Sequence, residues 1–423
     1  MTGLGSSARK PAGVAGAVDE GRLWTRHMDM ARHGALARGG VNRPALSAED
    51  GRARRLMADW ARALGCAVFT DPVGNLFVRR EGTEAGLAPV LTGSHLDTQP
   101  TGGKFDGSYG VLAGLEAIEA MNDAGISTHR PVEVVAWTNE EGSRFQPGCL
   151  GSCVFAGRTG ADEALAVRDR DGIAAHDALA AIRAGEPDFL VRPVGFDVHA
   201  YVEAHIEQGP LLEKARVPVG IVTGIQGTRW FAIEVLGEEA HAGTMPRRHR
   251  KDAFVAAVAM VGALDRLMHD EDDVVRFTIG RFEVSPGSPN TVPGRVFFTI
   301  DFRHPDAHTL KRLGDQVQAV CRAHAGPCQV GIEETFHALP CAFDPMVVDT
   351  VRATVRDLGF PAMELPSGAN HDAKFLAEIC PTAMIFVPCE RGISHNEAES
   401  ASPSDLAAGA QVLAETLVRL ANA

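Results

Sequence analysis

Between positions 67 and 142 the hydrophobic pattern changes its period repeatedly. Short apolar runs at 67–70, 75–79 and 89–92 are too brief for helices and predict strands. "GVLAGLEAIEAMNDAG" then shows helical spacing and stops at Gly125, and "PVEVVAWTNEEG" is an apolar strand ending in two acids. Upstream, 22–64 reads as helical, with "SAEDGRARRLMADWARALG" opening on a serine cap and closing on glycine. Helices alternating with nearly continuous apolar strands predict an α/β layer fold, its largely parallel central sheet flanked by helices. In such sheets function gathers beyond the carboxyl ends of strands, where "TGSHLD" and "AWTNEEG" fall.

After "VEAHIEQGPLLEKARVPVGIVTG" the pattern becomes strictly alternating. "RWFAIEVLGEEAHAG" puts Phe231, Ile233 and Val235 on one face, and "RFTIGRFEV" and "GRVFFTIDFRH" alternate in the same way. "KDAFVAAVAMVGALDRLMHD" and 310–325 read as helices. These elements predict an inserted α+β domain at 225–338 with one antiparallel sheet. "PTAMIFVPC" then returns an apolar strand to the first sheet. The expected organisation is a loose tail over 1–20, a first domain built from 21–224 and 339–423, and the insert between its halves. Within "VFFTIDFR", Val296, Phe298, Ile300 and Phe302 face the insert's core, so Arg303 turns to the opposite face.

Composition narrows the function classes. A chain of 423 residues exceeds one ordinary core, which agrees with two domains. The 41 basic against 54 acidic residues give a net charge of −13, which argues against nucleic acid or an anionic membrane as the main partner. Eight cysteines at irregular spacing, with no CxxC, form neither a disulfide framework nor a zinc ribbon. They read as reduced, mostly buried thiols of a cytoplasmic protein. "MTGLGSSARKPAGVAGAVDEG" has no apolar core of signal-peptide length, and no run reaches membrane-spanning length.

Imidazoles and carboxylates recur beside strand ends and glycines: His95, Asp97, Asp106, Glu140, Glu141, His205, Glu207, His241, His371, Asp372 and His395. Any one of them, taken singly, reads as a cap or a satisfied polar group. Glu140 and Glu141 also suit the start of a helix, where the dipole favours acids. Their recurrence changes the balance, because imidazole plus carboxylate without thiolate is the ligand set of zinc or a similar divalent ion. Five or six such ligands suit two ions sharing a carboxylate, an arrangement that activates water for hydrolysis. His95 and Asp97, two apart at a strand end, point the same way, so one can ligate while the other orients it.

The motifs "GSHLDT", "GGKFDGSYGV", "WTNEEGSRF", "HIEQGP", "HAGTMP", "PNTVPG", "DFRHPD", "SGANHDA" and "GISHNEAE" occur in this order. Together they resemble the di-metal amidohydrolases that include N-carbamoyl-L-amino acid hydrolases, β-ureidopropionases and allantoate amidohydrolases. That group is a branch of the aminoacylase/carboxypeptidase-type metallopeptidase superfamily, and the resemblance spans about 20–420. It implies two divalent ions per subunit, zinc first, with manganese, cobalt or nickel also acceptable. His95 and His395 would hold one ion, Glu141 and His205 the other, and Asp106 would bridge them. Glu140 would be the general base and Asp97 would hold His95. The insert resembles the family's dimerisation lid, so a homodimer is expected, with His241 reaching the partner subunit's site to stabilise a developing oxyanion. Arg303 would grip a substrate carboxylate, and Gln208, Asn290 and His371 match positions that hydrogen-bond carbamoyl or carboxylate groups. Asn370 stands where glycine is commoner in the family.

The implied reaction is hydrolysis of the carbamoyl C–N bond of an N-carbamoyl α- or β-amino acid, giving the amino acid, carbon dioxide and ammonia. "GIQGTRW" resembles the carbamoylase and ureidopropionase forms more than the allantoate ones. Allantoate hydrolysis, aminoacylase or dipeptidase chemistry, and a metal-free binding protein are the competing readings. Retention of all five candidate ligands weighs against the last.

Overall fold

Strands buried along their whole length dictate a sheet covered on both faces. Val90–His95, Val132–Trp137, Ala200–Ile206 and Thr382–Val387 are of this kind. The structure, a computed structural model, describes residues 13–186 and 188–423. It divides into two compact units, one running to Thr223 and resuming at Phe343, the other Gly224–Ala342.

In the first unit the four buried strands are parallel neighbours, in the order Thr382–Val387, Ala200–Ile206, Val90–His95, Val132–Trp137. Antiparallel strands flank them, Val219–Ile225 on one side and Leu76–Arg80, then Ala67–Thr70, on the other. The fold is therefore α/β with a largely parallel central sheet. Helices Ser108–Asp123 and Pro403–Ala421 pack on each other and on the sheet. Parallel strands all present their carboxyl ends on one edge, and this edge carries His95 and, one residue from its strand end, His205.

The helices expected over 22–64 are Glu20–Ala31 and Ala48–Ala63, the second capped by Ser47, with an irregular segment between them. Gly34 makes that break, with φ +92 and a position where a Cβ would lie 2.4 Å from the Asn42 carbonyl oxygen. Of the expected tail, 1–12 falls outside the described residues, whereas Val14–Ala17 is a helix with Val14 and Ala15 fully buried. All eight cysteines are free thiols. No described helix is long and apolar enough to cross a membrane.

The second unit is an antiparallel sheet in the order Arg276–Thr278, Arg295–His304, Gly227–Leu236, Gln329–Ala338, with helices Ala253–Met268 and Ala307–Ala323. Alternation works as the sequence requires: Phe231, Ile233, Val235, Val296, Phe298, Ile300 and Phe302 all enter one core with Met260, Leu264 and Val317. Separately, Ala240–His241 and Thr291–Val292 form a small two-stranded ribbon.

One buried group in the first unit makes stability depend on pH. His27 lies against the rings of Phe105 and Tyr109, and burial pushes its imidazole from 6.5 down to about 3. The unfolded chain takes up this proton near pH 6.5, whereas the folded chain resists until about pH 3. The unfolded state thus binds more protons across that window, and stability falls as pH drops through it. Substitution His27→Leu should flatten the loss, so urea midpoints at pH 7 and pH 4 should lie closer together than in the parent. An unaltered separation would refute this role.

Candidate metal centre

Adjacent parallel strands place His95 and His205 side by side, with ring centroids 6.1 Å apart. Each ring uses Nδ1 locally: His95 Nδ1 lies 2.9 Å from the Asp97 carbonyl oxygen and His205 Nδ1 lies 2.9 Å from that of Ile206. Bonding to a carbonyl puts the proton on Nδ1, which leaves the Nε2 lone pair able to ligate in both rings, that of His205 now accepting the Gly107 amide at 3.2 Å. Between them comes Asp106, from the loop entering Ser108–Asp123. Its Oδ1 is 3.2 Å from His205 Nε2 and 3.9 Å from His95 Nε2. Glycine is required next in the chain, because a Cβ on Gly107 would sit 2.3 Å from the His95 ring and φ there is +63.

The other oxygen of Asp106 faces a second set. Oδ2 lies 3.2 Å from His395 Nε2, and His395 Nε2 lies 3.4 Å from Glu141 Oε2. Gln99 fixes Glu141 through its backbone amide at 3.1 Å and its side-chain amide at 2.8 Å. The side chains therefore form two groups sharing Asp106: His95, Asp106, His205 and Asp106, Glu141, His395. This corrects the expected partition, which joined His95 with His395 and Glu141 with His205. The reason is topological: the strands ending near His95 and His205 are neighbours, while His395 arrives on a loop opposite Glu141. Glu203, His205 and His371 make a third grouping, but its acceptors are already used. Glu203 takes hydrogen bonds from Ser94, Tyr201 and the Ala373 amide, and His371 Nε2 is 2.9 Å from Ser367 Oγ.

Asp97 acts differently from expectation. Its carboxylate is 3.8 Å from His95 Nδ1, so the ring is held by the Asp97 carbonyl instead. The carboxylate accepts the backbone amides of Glu140 and Glu141, both at 3.2 Å, and thereby sets where these acids point. Glu140 Oε2 lies 3.4 Å from His95 Nε2, and Cys149 Sγ donates to Glu140 Oε1 at 3.4 Å. Gln208 donates to Asp106 Oδ2 at 3.0 Å and shares that acceptor with Ser394. Glu207, by contrast, caps the backbone amides of Leu211 and Leu212. Asp372 accepts from Ser152. The exposed Asn370 accepts from Lys374 at 3.4 Å.

Three further candidates lie in the second unit. His241 Nδ1 accepts the amides of Gly243 and Thr244 at 3.1 and 3.2 Å, which leaves an Nε2 proton to donate. Asn290 adjoins it across the ribbon, its carbonyl accepting the Ala242 amide at 2.9 Å. Arg303 is paired with Asp301 through Nε at 3.1 Å and Nη2 at 2.8 Å.

The electrostatics of the first-unit cluster ask for positive charge. Burial, then the charge of Asp106, pushes Glu141 up to about 8. Burial and Asp372 push Glu140 well above the carboxylate range, and burial pushes Asp97 up to about 7. The hydrogen bond to Asp106 pushes His395 up to about 9. Carboxyls driven towards protonation, beside rings that a carboxylate loads with protons, are what a dication would relieve. The donor set of imidazole and carboxylate therefore fits divalent ions, and loading it must release protons.

Sequence reasoning passed over several residues that build this cluster. Glu399 accepts the amides of Phe105 and Asp106 and the Ser394 hydroxyl, which ties the two ligand loops together. It lies in "HNEAE", four residues after a ligand, and that spacing was its only signal. Glu203 hides inside an apolar strand. Arg43 gives no local signal beyond being a charge before proline.

The family model described as peptidase family M20/M25/M40 matches residues 91–419. An N-carbamoyl-L-amino-acid amidohydrolase from Rhizobium meliloti is 42% identical over 96% of this chain and 97% of its own length. Another, from Geobacillus stearothermophilus, is 41% identical over 95% and 98%. A solved hydantoinase/carbamoylase family amidase from Burkholderia multivorans superposes with a TM-score of 0.92 at 46% identity, covering 96% and 98% of the two chains.

The role of Asp97 is testable by metal titration. Asp97→Ala frees the backbone of Glu141 but leaves the carbonyl that holds His95. The group containing Glu141 and His395 should lose roughly ten- to a hundredfold in metal affinity while the His95–His205 group changes less. Equal weakening of both binding steps would show that the carboxylate has no such selective role.

Proposed function

Because the chain belongs to peptidase family M20/M25/M40, we propose that it hydrolyses the carbamoyl C–N bond of an N-carbamoyl amino acid. It is a hydrolase of non-peptide C–N bonds in linear amides, and it forms free amino acid, carbon dioxide and ammonia from the ureido compound and one water. The observation that carries this reading is the pair of ligand groups sharing Asp106, with Glu140 against their edge. His95, Asp106 and His205 would hold one divalent ion and Asp106, Glu141 and His395 a second. Bound there, the ions would supply Lewis acidity toward the ureido carbonyl and acidify water. Zinc is the first expectation, with manganese, cobalt and nickel acceptable to the same donors.

The chain's own groups divide the remaining work. Glu140 takes the proton from the attacking water and returns it to the leaving nitrogen. Its high proton affinity suits the second half of that task, and a bound dication would lower it for the first. Arg303 binds the substrate carboxylate through its guanidinium. His241 donates its Nε2 proton to the oxyanion, a role that its two backbone donors prepare by fixing the tautomer. Asn290, Gln208 and His371 hydrogen-bond the polar ends of the substrate. Asp97 positions Glu140 and Glu141 through their amides.

The working form is a cytoplasmic homodimer joined through the second unit. Supporting this, helix Ala253–Met268 carries Phe254, Val255 and Val258 at 42%, 52% and 49% exposure, an apolar face turned to solvent. Its expected occupant is the same face of another copy.

A substrate panel that reads ammonia decides the activity, with N-carbamoyl-α-amino acids and N-carbamoyl-β-alanine against allantoate and acyl-amino acids. Turnover of allantoate alone, or of acyl substrates alone, would overturn the assignment. Within the panel, Glu140→Gln should keep both metals and lose roughly 10²–10⁴-fold in kcat. Arg303→Ala should raise KM roughly ten- to a hundredfold with a smaller effect on kcat. A Glu140→Gln enzyme near full activity, or an unchanged KM in Arg303→Ala, removes the residue concerned from its role. For assembly, Val255→Glu with Val258→Glu should convert a dimer into a monomer by light scattering, and a dimer that survives both charges must use another face.

A further inference from the structure

Arg43 is 1% exposed, yet none of its side-chain hydrogen bonds reaches a carboxylate. Nε donates to the Leu96 carbonyl at 2.6 Å, Nη1 to the Met30 and His33 carbonyls at 3.0 and 2.9 Å, and Nη2 to Ser108 Oγ at 3.0 Å. A cation buried without a contacting anion is unfavourable unless the surrounding field repays it. Burial brings this guanidinium down to about 10, so it remains charged at neutral pH, and Asp50 and Asp97 supply the opposing field.

Its bonding partners are the informative part. Leu96 stands between His95 and Asp97, and Ser108 follows Asp106 by two residues at the start of a helix. The carbonyls of Met30 and His33 close the end of helix Glu20–Ala31 over the same point. Backbone bonds sew the neighbouring chain into place. Arg43 N donates to Thr98 Oγ1 at 2.9 Å, Thr98 N to the Arg43 carbonyl at 2.9 Å, and Val41 and Gly102 exchange bonds at 2.9 and 3.0 Å. Segment 41–43 therefore spans the whole loop that delivers His95, Asp97 and Asp106.

We propose that Arg43 is a positioning residue of the metal centre: it ties the Leu96 carbonyl to the Ser108 hydroxyl, which sets His95 against Asp106. The proposal rests on the reading of the centre as metal-binding, and it concerns metal affinity rather than a chemical step.

The test is zinc affinity, measured on metal-stripped protein by competition with a chromophoric chelator, with thermal midpoints of the stripped and zinc-loaded forms. Ser108→Ala removes one arm and should lower affinity several-fold with little change in the stripped midpoint. Arg43→Met should lower affinity roughly ten- to a hundredfold and shrink the midpoint gain on zinc addition. Arg43→Lys keeps the charge but cannot reach three segments, so it should resemble Arg43→Met more than the parent. If Arg43→Met does not fold, Arg43→Lys and Ser108→Ala carry the test alone. A lowered stripped midpoint with parental zinc affinity in the folded variants means a merely structural side chain and overturns the proposal. A parent protein that binds none of zinc, manganese, cobalt and nickel removes the metal-centre reading itself, and the proposal with it.

Discussion

Burial of acids beside one another is the constraint on which this structure turns. Asp97, Asp106, Glu140, Glu141, Glu203, Asp372 and Glu399 are buried together or nearly so at one edge of the sheet. Burial raises them first and their charges add to it: Asp106 acts on Glu141 and Glu399, and Asp372 on Glu140. A core made only of such groups would take up protons or open to water. Three features oppose that. Backbone amides are aimed at Asp97 and Glu399, imidazoles bracket Asp106, and a buried guanidinium lies behind the ligand loop. The remaining demand is for cations, which is what turns an awkward piece of electrostatics into a binding site.

The fold was legible because its determinants are local or periodic. Full burial of Val132–Trp137 and Thr382–Val387 follows from uninterrupted apolar runs, and the alternation of Val296 through Phe302 places Arg303 away from the core. Individual candidates for metal ligation stood out for a related reason: His95 and Asp106 stand at a strand end and in a glycine loop, where packing alone has little use for them. Their grouping did not. Which strands adjoin is a property of the sheet, so nothing along the chain says that His95 and His205 share a wall. Glu203 was invisible because an acid inside an apolar strand looks like an interruption. Asp97 shows a subtler limit, since spacing brought it beside His95 but could not reveal that carbonyl and carboxylate serve different neighbours.

In the second unit the same physics prepares groups instead of burying them. His241 is exposed, but two amides occupy Nδ1 and commit the remaining proton to Nε2. The ribbon that pairs His241 with Thr291 also brings up Asn290, so a donor and an amide are presented by one small, hydrogen-bonded element. In the roles proposed for them, such groups would need little reorganisation on meeting a substrate, which is the usual source of electrostatic advantage in catalysis.

The pairing of Arg303 with Asp301 bears on how an anion is accepted by a chain of net charge −13. Both side chains are 31% exposed, and ion pairs of that kind are worth about 0–1 kcal/mol. In the proposed role of Arg303, giving up this one pair to a substrate carboxylate would therefore cost little. The overall negative charge opposes approach only weakly, because at physiological salt its reach is about 8 Å. On the proposed reading, a single oriented arginine would outweigh a field so screened, so acidic composition does not argue against an acidic substrate.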